Sequence, residues 1–177
     1  MNPEIIGWLY CEDTPINYPV LQTTDNSKYL KMQPDGKTSR SGSIFVDCNC
    51  ESDFSSDNNI VYGHNRRNGM FSCLPKYEYQ TYYKDHPVMW LLTPEKNYRI
   101  DLFAGFATLA ADWVYEINLY PERLRNEYLD RCLKSSDFKS DIDPHVDCSI
   151  ITLSTCHYNG IDDARYVVMG TLAQCKQ

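Results

Sequence analysis

The sequence predicts a mainly β fold, closed or nearly closed, with a few helices at its margins. Its 177 residues fit one compact domain, so we expect a single domain over residues 1–177. Most apolar runs are short, rich in β-branched and aromatic residues, and bounded by turn-forming residues, which is typical of strands. The clearest helical pattern lies in the second half of the chain.

Short extended segments are predicted in the first third of the chain. Residues 5–10 form an apolar run, and the prolines that follow it argue against helix, so residues 5–10 and 18–21 are predicted edge strands. Residues 43–47 and 59–62 carry β-branched and aromatic side chains between turn-forming residues, which indicates two further strands.

Polar segments separate these strands. Residues 27–32 are predicted to form a helical turn capped by Asp25 or Asn26, and residues 33–43 a loop. Residues 48–58 are polar and acidic, which indicates a surface loop.

The middle of the chain combines helical and extended patterns. Residues 70–84 have apolar side chains at helical spacing that a proline interrupts, which predicts one or two short helices. Residues 88–92 and 98–110 are predicted to form a β-hairpin, with residues 93–97 as its turn.

The last third is predicted to hold one helix and two strands. Residues 122–133 follow a proline and present an apolar face made of Leu124, Tyr128, Leu129, Cys132 and Leu133. Residues 149–154 and 166–173 have strong β-branched content and are predicted strands.

Charge and composition exclude several classes of protein. The net charge of −7 would repel phosphate backbones, so nucleic acid is not an expected partner. No stretch approaches the roughly 20 consecutive apolar residues that span a bilayer, and the N-terminal residues do not resemble a signal peptide. The sequence fits either a soluble protein or one whose upstream targeting segment has been removed.

The 8 cysteines do not predict a disulfide framework, because a chain of this length can fold stably without disulfide bonds. Most are expected to be free thiols. Cys48 and Cys50 are separated by one residue, which is too close for the usual zinc half-site, and no second Cys or His pair has zinc spacing. We therefore expect no metal.

Cys156 is the candidate nucleophile. It follows the predicted strand 149–154 where apolar sequence gives way to a polar loop, and reactive groups are common at such places. A thiol nucleophile must be exposed and ionised, with a cationic or basic neighbour. Cys132, Cys148 and Cys175 lie within regular elements or near the terminus, so they are predicted to be structural thiols.

His64 is the candidate partner of Cys156, because its strand runs into a turn that can project the imidazole past the sheet edge. His86 and His145 are predicted to be surface histidines. His157 is adjacent to Cys156, and neighbouring side chains on an extended chain point to opposite faces. From spacing alone, the pairing of His64 with Cys156 stays open.

Arg165 opens the last predicted strand, nine positions after Cys156. A hairpin of that length would bring the guanidinium near the thiol, where it can stabilise a thiolate and an oxyanion. The alternative is a surface ion pair with Asp162 or Asp163, which spacing alone favours.

Three segments together resemble sortases. Residues 152–156, Thr-Leu-Ser-Thr-Cys, look like the sortase signature; residues 62–64 resemble the segment that carries the sortase histidine; residues 163–168 resemble the strand that carries its arginine. The order of these three segments along the chain and their separation in sequence also match those of sortases. Further segments resemble the N-terminal part of class B sortases, namely residues 6–9, 18–20, 25–26, 29–30, 42–47 and 68–71. The resemblance covers nearly the whole chain.

The resemblance implies a closed eight-stranded sortase-type β-barrel with an N-terminal helical turn and an inserted helix before the cysteine strand. It also implies transpeptidation. Cys156 would attack the Thr carbonyl of a C-terminal sorting signal, His64 would protonate the leaving amine and deprotonate the acceptor, and Arg165 would hold the oxyanion. No metal or organic cofactor is needed for this chemistry.

The resemblance also implies partners and a place of action. The expected substrates are secreted proteins with a C-terminal sorting signal, and the expected acceptor is a peptidoglycan cross-bridge amine or, second, a pilin lysine. The expected location is the outer face of a bacterial membrane, reached through an N-terminal anchor. Near the nucleophile, Ser154, Thr155 and Tyr158 are predicted to contact substrate.

Two other functions stay open from the sequence. A cell-wall cysteine peptidase or amidase would use the same Cys156 and His64 but pass the acyl group to water. A non-catalytic surface-binding module on the same barrel would not depend on Cys156. The presence of His64, Cys156 and Arg165 together argues against such a module.

Overall fold

A computed structural model describes residues 2–67 and 69–175. Its strands are β1 (Ile5–Tyr10), β2 (Asn17–Leu21), β3 (Ile44–Val46), β4 (Asn58–Tyr62), β5 (Asn65–Arg66), β6 (Gly69–Met70), β7 (Val88–Leu92), β8 (Asn97–Leu109), β9 (Ile150–Cys156) and β10 (Ala164–Gln174). Eight of them close into a barrel in the order β1-β2-β3-β4-β9-β10-β8-β7, and β5 and β6 form a separate hairpin. The closed eight-stranded barrel confirms the expected fold class.

Helices are few and lie in the connections between strands. They are α1 (Gln80–Asp85) and α2 (Glu122–Ser135), with 3-10 turns at Lys28–Leu30, Leu74–Glu78 and Trp113–Tyr115. The N-terminal turn and the helix before the cysteine strand are as expected. Within residues 2–67 and 69–175, no helix has the length and apolar character needed to cross a bilayer.

The barrel packs two apolar layers, one inside it and one beneath α2. Alternate residues of β10 face opposite sides of the sheet. Tyr166 and Val168 belong to the inner core, whereas Val167 and Met169 pack with residues of α2 such as Leu129. Helix α2 therefore covers the outer face of β10.

The prediction of edge strands at residues 5–10 and 18–21 is wrong, because the closed barrel pairs both strands on each side. Pro19 is tolerated in β2 because the ladder with β3 includes only Val20 and Leu21. On that side of the strand, Pro19 therefore has no ladder hydrogen bond to lose.

Two other predictions need correction. Residues 48–58 do not form a purely surface loop, since Cys50 and Phe54 are buried in the core. The apolar face of α2 is narrower than predicted: Leu124 and Leu133 are exposed, and the buried residues are Tyr128, Leu129 and Cys132. The middle of the helix packs on the sheet, and Leu124 lies in its first turn.

Candidate active site

The hairpin of β9 and β10 sets the positions of Cys156 and Arg165. Cys156 is the last residue of β9 rather than the start of the following loop, and Arg165 is its direct partner in the antiparallel ladder. Side chains of directly opposed residues lie on the same face of a sheet, and Ser154, two residues earlier, shares that face. The thiol, the guanidinium and a hydroxyl therefore meet at one end of the hairpin.

Arg165 does not form the surface ion pair that spacing favoured. Within the part of the chain that the structure describes, the ion pairs do not include Arg165, and Asp162 and Asp163 are exposed. Arg165 Nη1 instead donates to the carbonyl of Ala164 at 3.0 Å. Among residues 2–67 and 69–175, the other N–H groups of the guanidinium have no hydrogen-bond partner, so they can donate to a substrate.

A parallel ladder brings the histidine segment beside the cysteine strand. β4 pairs with β9 so that Tyr62 lies opposite Ser154, and the chain then continues to His64. Because the two strands run in the same direction, both segments leave the sheet at the same edge.

Three hydrogen bonds then fasten the histidine segment to the end of β9. Gly63 N donates to the carbonyl of Ser154 at 3.1 Å, and Thr155 Oγ1 donates to the carbonyl of Gly63 at 2.7 Å. Asn65 Nδ2 donates to the carbonyl of Cys156 at 2.9 Å. The backbones on either side of His64 are thus held against the strand that carries the candidate nucleophile, Cys156.

The imidazole of His64 is held by the helical turn at Lys28–Leu30. Its Nε2 lies 2.8 Å from the carbonyl oxygen of Leu30, which can only accept a hydrogen bond. Nε2 therefore carries the proton of this contact, and Nδ1 is the ring atom left for proton transfer. Asp25 Oδ1 holds the residues that open this turn, because it accepts from the backbone N–H groups of Ser27 and Lys28 at 2.7 and 2.8 Å.

One cavity of about 220 Å³ unites His64, Cys156 and Arg165. Its walls combine apolar, aromatic and small polar side chains, which is the usual composition of a ligand pocket. They include Leu30, Phe45, Tyr62, Ala110, Tyr115, Asn26 and Ser154.

Two phenols in this cavity stay neutral at ordinary pH. Burial raises the pKa of Tyr62, and the nearby carboxylate of Asp47, which accepts from its hydroxyl at 2.9 Å, raises it further. Burial also raises the pKa of Tyr115, against the opposing effects of a 2.8 Å hydrogen bond with Ser154 and the charge of Arg165. Both hydroxyls therefore serve as neutral hydrogen-bonding groups.

The sequence did not single out Tyr115 or Asn26 as site residues. Tyr115 lies in a 3-10 turn that Asn58 holds, since Asn58 Nδ2 donates to the carbonyl of Glu116 at 2.9 Å. Asn26 donates to Asp47 Oδ2 at 2.9 Å. Both reach the cavity through contacts between distant segments, and no local spacing signals such contacts.

Of the three residues predicted to contact substrate, two lie at the cavity and one lies outside it. Ser154 and Thr155 line the cavity, although the Thr155 hydroxyl is already engaged with Gly63. Tyr158 is 76% exposed on the loop after β9 and lies outside the cavity wall.

The other histidines lie away from the site. His157 points to the opposite face from Cys156, where its Nε2 lies 3.2 Å from Glu78 Oε1 and its ring packs on Tyr166. His86 stacks on Tyr82, and His145 lies beside Asp143.

All eight cysteines are free thiols in the structure. Burial raises the pKa of Cys50 and Cys73 to about 11 and that of Cys132 to about 12, and it also raises the pKa of Cys11 and Cys148. A buried thiol of raised pKa is a poor nucleophile at neutral pH. Cys156, in contrast, lines an open cavity.

Comparison with known proteins identifies the family. No family model matches the chain. The chain is 35% identical over 175 residues to sortase B of Listeria monocytogenes, spanning 97% of this chain and 71% of that protein. The chain belongs to the sortase B family. As a class B sortase, it is a cysteine transpeptidase.

Solved structures of sortase B share the whole fold. The Staphylococcus aureus sortase B–substrate complex matches with a TM-score of 0.92 and 30% identity, covering 99% of this chain and 82% of that one. A crystal structure of sortase B in complex with triglycine matches with a TM-score of 0.93 and 30% identity, covering 99% and 83%. The barrel and its cysteine hairpin are therefore those of a sortase B.

Proposed function

We propose that this sortase cleaves a C-terminal sorting signal after threonine, with Cys156, His64 and Arg165 as its catalytic residues. The observation that carries this assignment is the register that sets Arg165 opposite Cys156, at a cavity that also contains His64. Ser154 and Thr155 would contact the bound signal near the nucleophile, and Tyr158 would contact it beyond the cavity.

The first step forms a thioester. The Cys156 thiolate attacks the threonine carbonyl carbon, and the resulting oxyanion is stabilised by the Arg165 guanidinium. Collapse of the tetrahedral intermediate breaks the C–N bond, and the leaving amine takes a proton from the His64 imidazolium. The products are a thioacyl enzyme and a released peptide.

The second step transfers the acyl group to an amine. His64, now neutral, accepts a proton from the incoming amine as its nitrogen attacks the thioester. The new amide bond forms and the Cys156 thiolate leaves, which restores the starting enzyme. Only the fraction of enzyme with a thiolate and an imidazolium can begin the cycle, so activity depends on both protonation states.

The partners follow from the family and from the two steps. The donor would be a secreted protein, and the acceptor would be a peptidoglycan cross-bridge amine, with a pilin lysine as the second candidate. The family associates the protein with the bacterial cell surface, and we propose that it works on the outer face of the membrane, attached by an N-terminal anchor.

An assay of peptide turnover distinguishes a transpeptidase from a peptidase or amidase and from a binding module. Short peptides with Thr-Gly or Thr-Asn bonds are incubated with an amine, and products are identified by mass spectrometry for the native enzyme, Cys156→Ala and the control Cys48→Ala. A sortase gives cleavage after threonine with amine-joined product, lost only in Cys156→Ala. Hydrolysis that the amine does not affect would support a peptidase or amidase. Peptide binding without turnover would support a binding module.

A further inference from the structure

A second cavity, of about 300 Å³, lies next to the active site. Its walls come from β2, from the loop 33–43, and from the β5–β6 hairpin that follows His64, and they include Tyr18, Gly42, Arg66 and Arg67. We propose that this acceptor cavity binds a carboxylate carried by the amine acceptor. The proposal rests on the proposed function, because it concerns the second step of that reaction.

The two cavities are connected through the backbone around Leu30 and His64. Both of these residues line the active-site cavity. Gly42 lines the acceptor cavity and packs on the same backbone, since an added Cβ would collide with the carbonyl oxygen of Tyr29 and lie 2.7 Å from that of Leu30. Arg66 is two residues from His64, so their Cα atoms are separated by at most about 7 Å.

The charge of the acceptor cavity is opposite to that of the chain. The protein has a net charge of −7, yet Arg66 and Arg67 lie side by side at this cavity. Among the ion pairs of residues 2–67 and 69–175, none involves either arginine. Two guanidinium groups without a carboxylate partner at a concave surface favour an anionic ligand.

Polar groups around the two arginines can orient such a ligand. Arg66 donates from Nη2 to the carbonyl of Arg40, which fixes the guanidinium to the loop and leaves its other N–H groups for a ligand. The Tyr18 hydroxyl accepts from Met70 N at 3.1 Å and keeps its own O–H to donate. A planar carboxylate matches the fork of donors that a guanidinium presents.

A carboxylate site on the acceptor side has a kinetic advantage. The thioacyl enzyme must react with a dilute amine in competition with water, so binding a second group of the amine raises its effective concentration at Cys156. The leaving peptide, in contrast, must depart after the first step, and a tight anion site would retain it. We therefore assign the carboxylate to the acceptor.

The test compares matched acceptors on thioacyl enzyme formed beforehand. Diglycine, triglycine and tetraglycine are each supplied as the free acid and as the C-terminal amide, with the native enzyme, Arg66→Gln, Arg67→Gln and the double variant. Arg123→Gln is the control, because Arg123 is an exposed arginine on α2, paired with Glu127. Release of the leaving peptide is measured separately, before any acceptor is added.

We expect at least one free acid to have a KM about fivefold lower than its amide, as one exposed charge-assisted contact allows. The double variant should abolish this preference, and added salt should weaken it. Peptide release should be unchanged, and Arg123→Gln should behave as the native enzyme.

Equal KM values for acids and amides at all three lengths would overturn the proposal, as would a preference that survives in the double variant. A changed rate of peptide release in the arginine variants, whether faster because retention is lost or slower because the substrate binds less well, would assign the carboxylate to the leaving peptide and overturn the proposal as well. If no thioacyl enzyme forms, the proposed function fails and this inference fails with it. Measuring release first keeps that failure separate from a failure of the acceptor site alone.

Discussion

Arg165 and Cys156 lie directly opposite each other on the antiparallel strands β10 and β9. The ladder therefore holds the backbones of both residues at a fixed separation. Their side chains lie on the same face of the sheet as that of Ser154. A rigid hairpin is a better support for an oxyanion contact than a mobile loop, because the contact costs little reorganisation when charge develops.

Replacing Arg165 should impair catalysis without unfolding the protein. Arg165→Gln removes the charge opposite the nucleophile, and we expect kcat/KM to fall about 100-fold or more. The residue is only half-buried and makes no ion pair among the described residues, so the free energy of unfolding should change by less than about 1 kcal/mol. Peptide cleavage assays and urea unfolding measure the two effects. Arg99→Gln, on the barrel surface, is the control, and an equal loss in both variants would contradict the assignment.

Asn65→Ala should slow the reaction by loosening the nucleophile's strand. The variant loses the 2.9 Å hydrogen bond from Asn65 Nδ2 to the carbonyl of Cys156. Since the bond positions the proposed nucleophile rather than the substrate, we expect kcat to fall about tenfold with little change in KM. Asn17→Ala is the control, because it removes a comparable hydrogen bond, donated by Trp8 Nε1, outside the active-site cavity. An unchanged kcat for Asn65→Ala would show that the bond has no part in positioning.

Gly63→Ala should disturb the histidine segment. An added Cβ would lie 2.5 Å from the ring of Phe71, which is fully buried and cannot move aside easily. We expect a loss of about 1–3 kcal/mol in the free energy of unfolding, together with reduced activity because His64 is the next residue. Gly36→Ala has a positive φ but open space around it, so it should cost about 1 kcal/mol and leave activity unchanged. Native stability and activity in Gly63→Ala would contradict this packing.

Native-state alkylation should distinguish the eight thiols. At pH 8, a thiol with a pKa of about 11, such as Cys50 or Cys73, is ionised in only about one molecule in 1000, and burial also blocks access. We expect iodoacetamide to modify Cys156 before Cys50, Cys73 and Cys132, as mapped by peptide mass spectrometry. All eight should react in denaturant. Equal labelling of Cys132 and Cys156 in the folded protein would argue against this burial.

Stability should fall at alkaline pH. The folded state raises the pKa of Cys132 from about 9 to about 12, so the neutral thiol is favoured by folding. This contribution is fully present below about pH 9 and is lost as pH rises toward 12, because the unfolded chain releases the proton first. Urea unfolding across about pH 8 to 11 should show the decline. Cys132→Ala should show a shallower decline, and an identical slope in both proteins would contradict the contribution of this thiol.

The sequence predicts individual elements of this fold better than their pairing. Residues 88–92 and 98–110 are a hairpin in both the prediction and the structure, because a short turn between two largely apolar runs leaves one simple solution. The closure of β1 on β7, and the parallel pairing of β4 with β9, join segments about 80 to 90 residues apart. Local periodicity carries no information about such contacts.

The same limit applies to the candidate site. His64, Cys156 and Arg165 were singled out by their places at strand ends and by the sortase resemblance, and the structure brings all three to one cavity. Tyr115 and Asn26 also line that cavity, but the sequence did not mark either as a site residue, since their placement depends on polar contacts with Asn58 and Asp47. Side chains held by long-range hydrogen bonds are visible only once the fold is known.

Trapping the acyl enzyme tests the central claim most directly. The native protein is incubated with a threonine-containing sorting peptide without an amine, its intact mass is measured, and the modified residue is mapped after digestion. We expect the mass to rise by that of the acyl fragment, the modification to map to Cys156, and the adduct to disappear with formation of amide product when an amine is added. An adduct on another cysteine, or amide product formed by Cys156→Ala, would contradict the account.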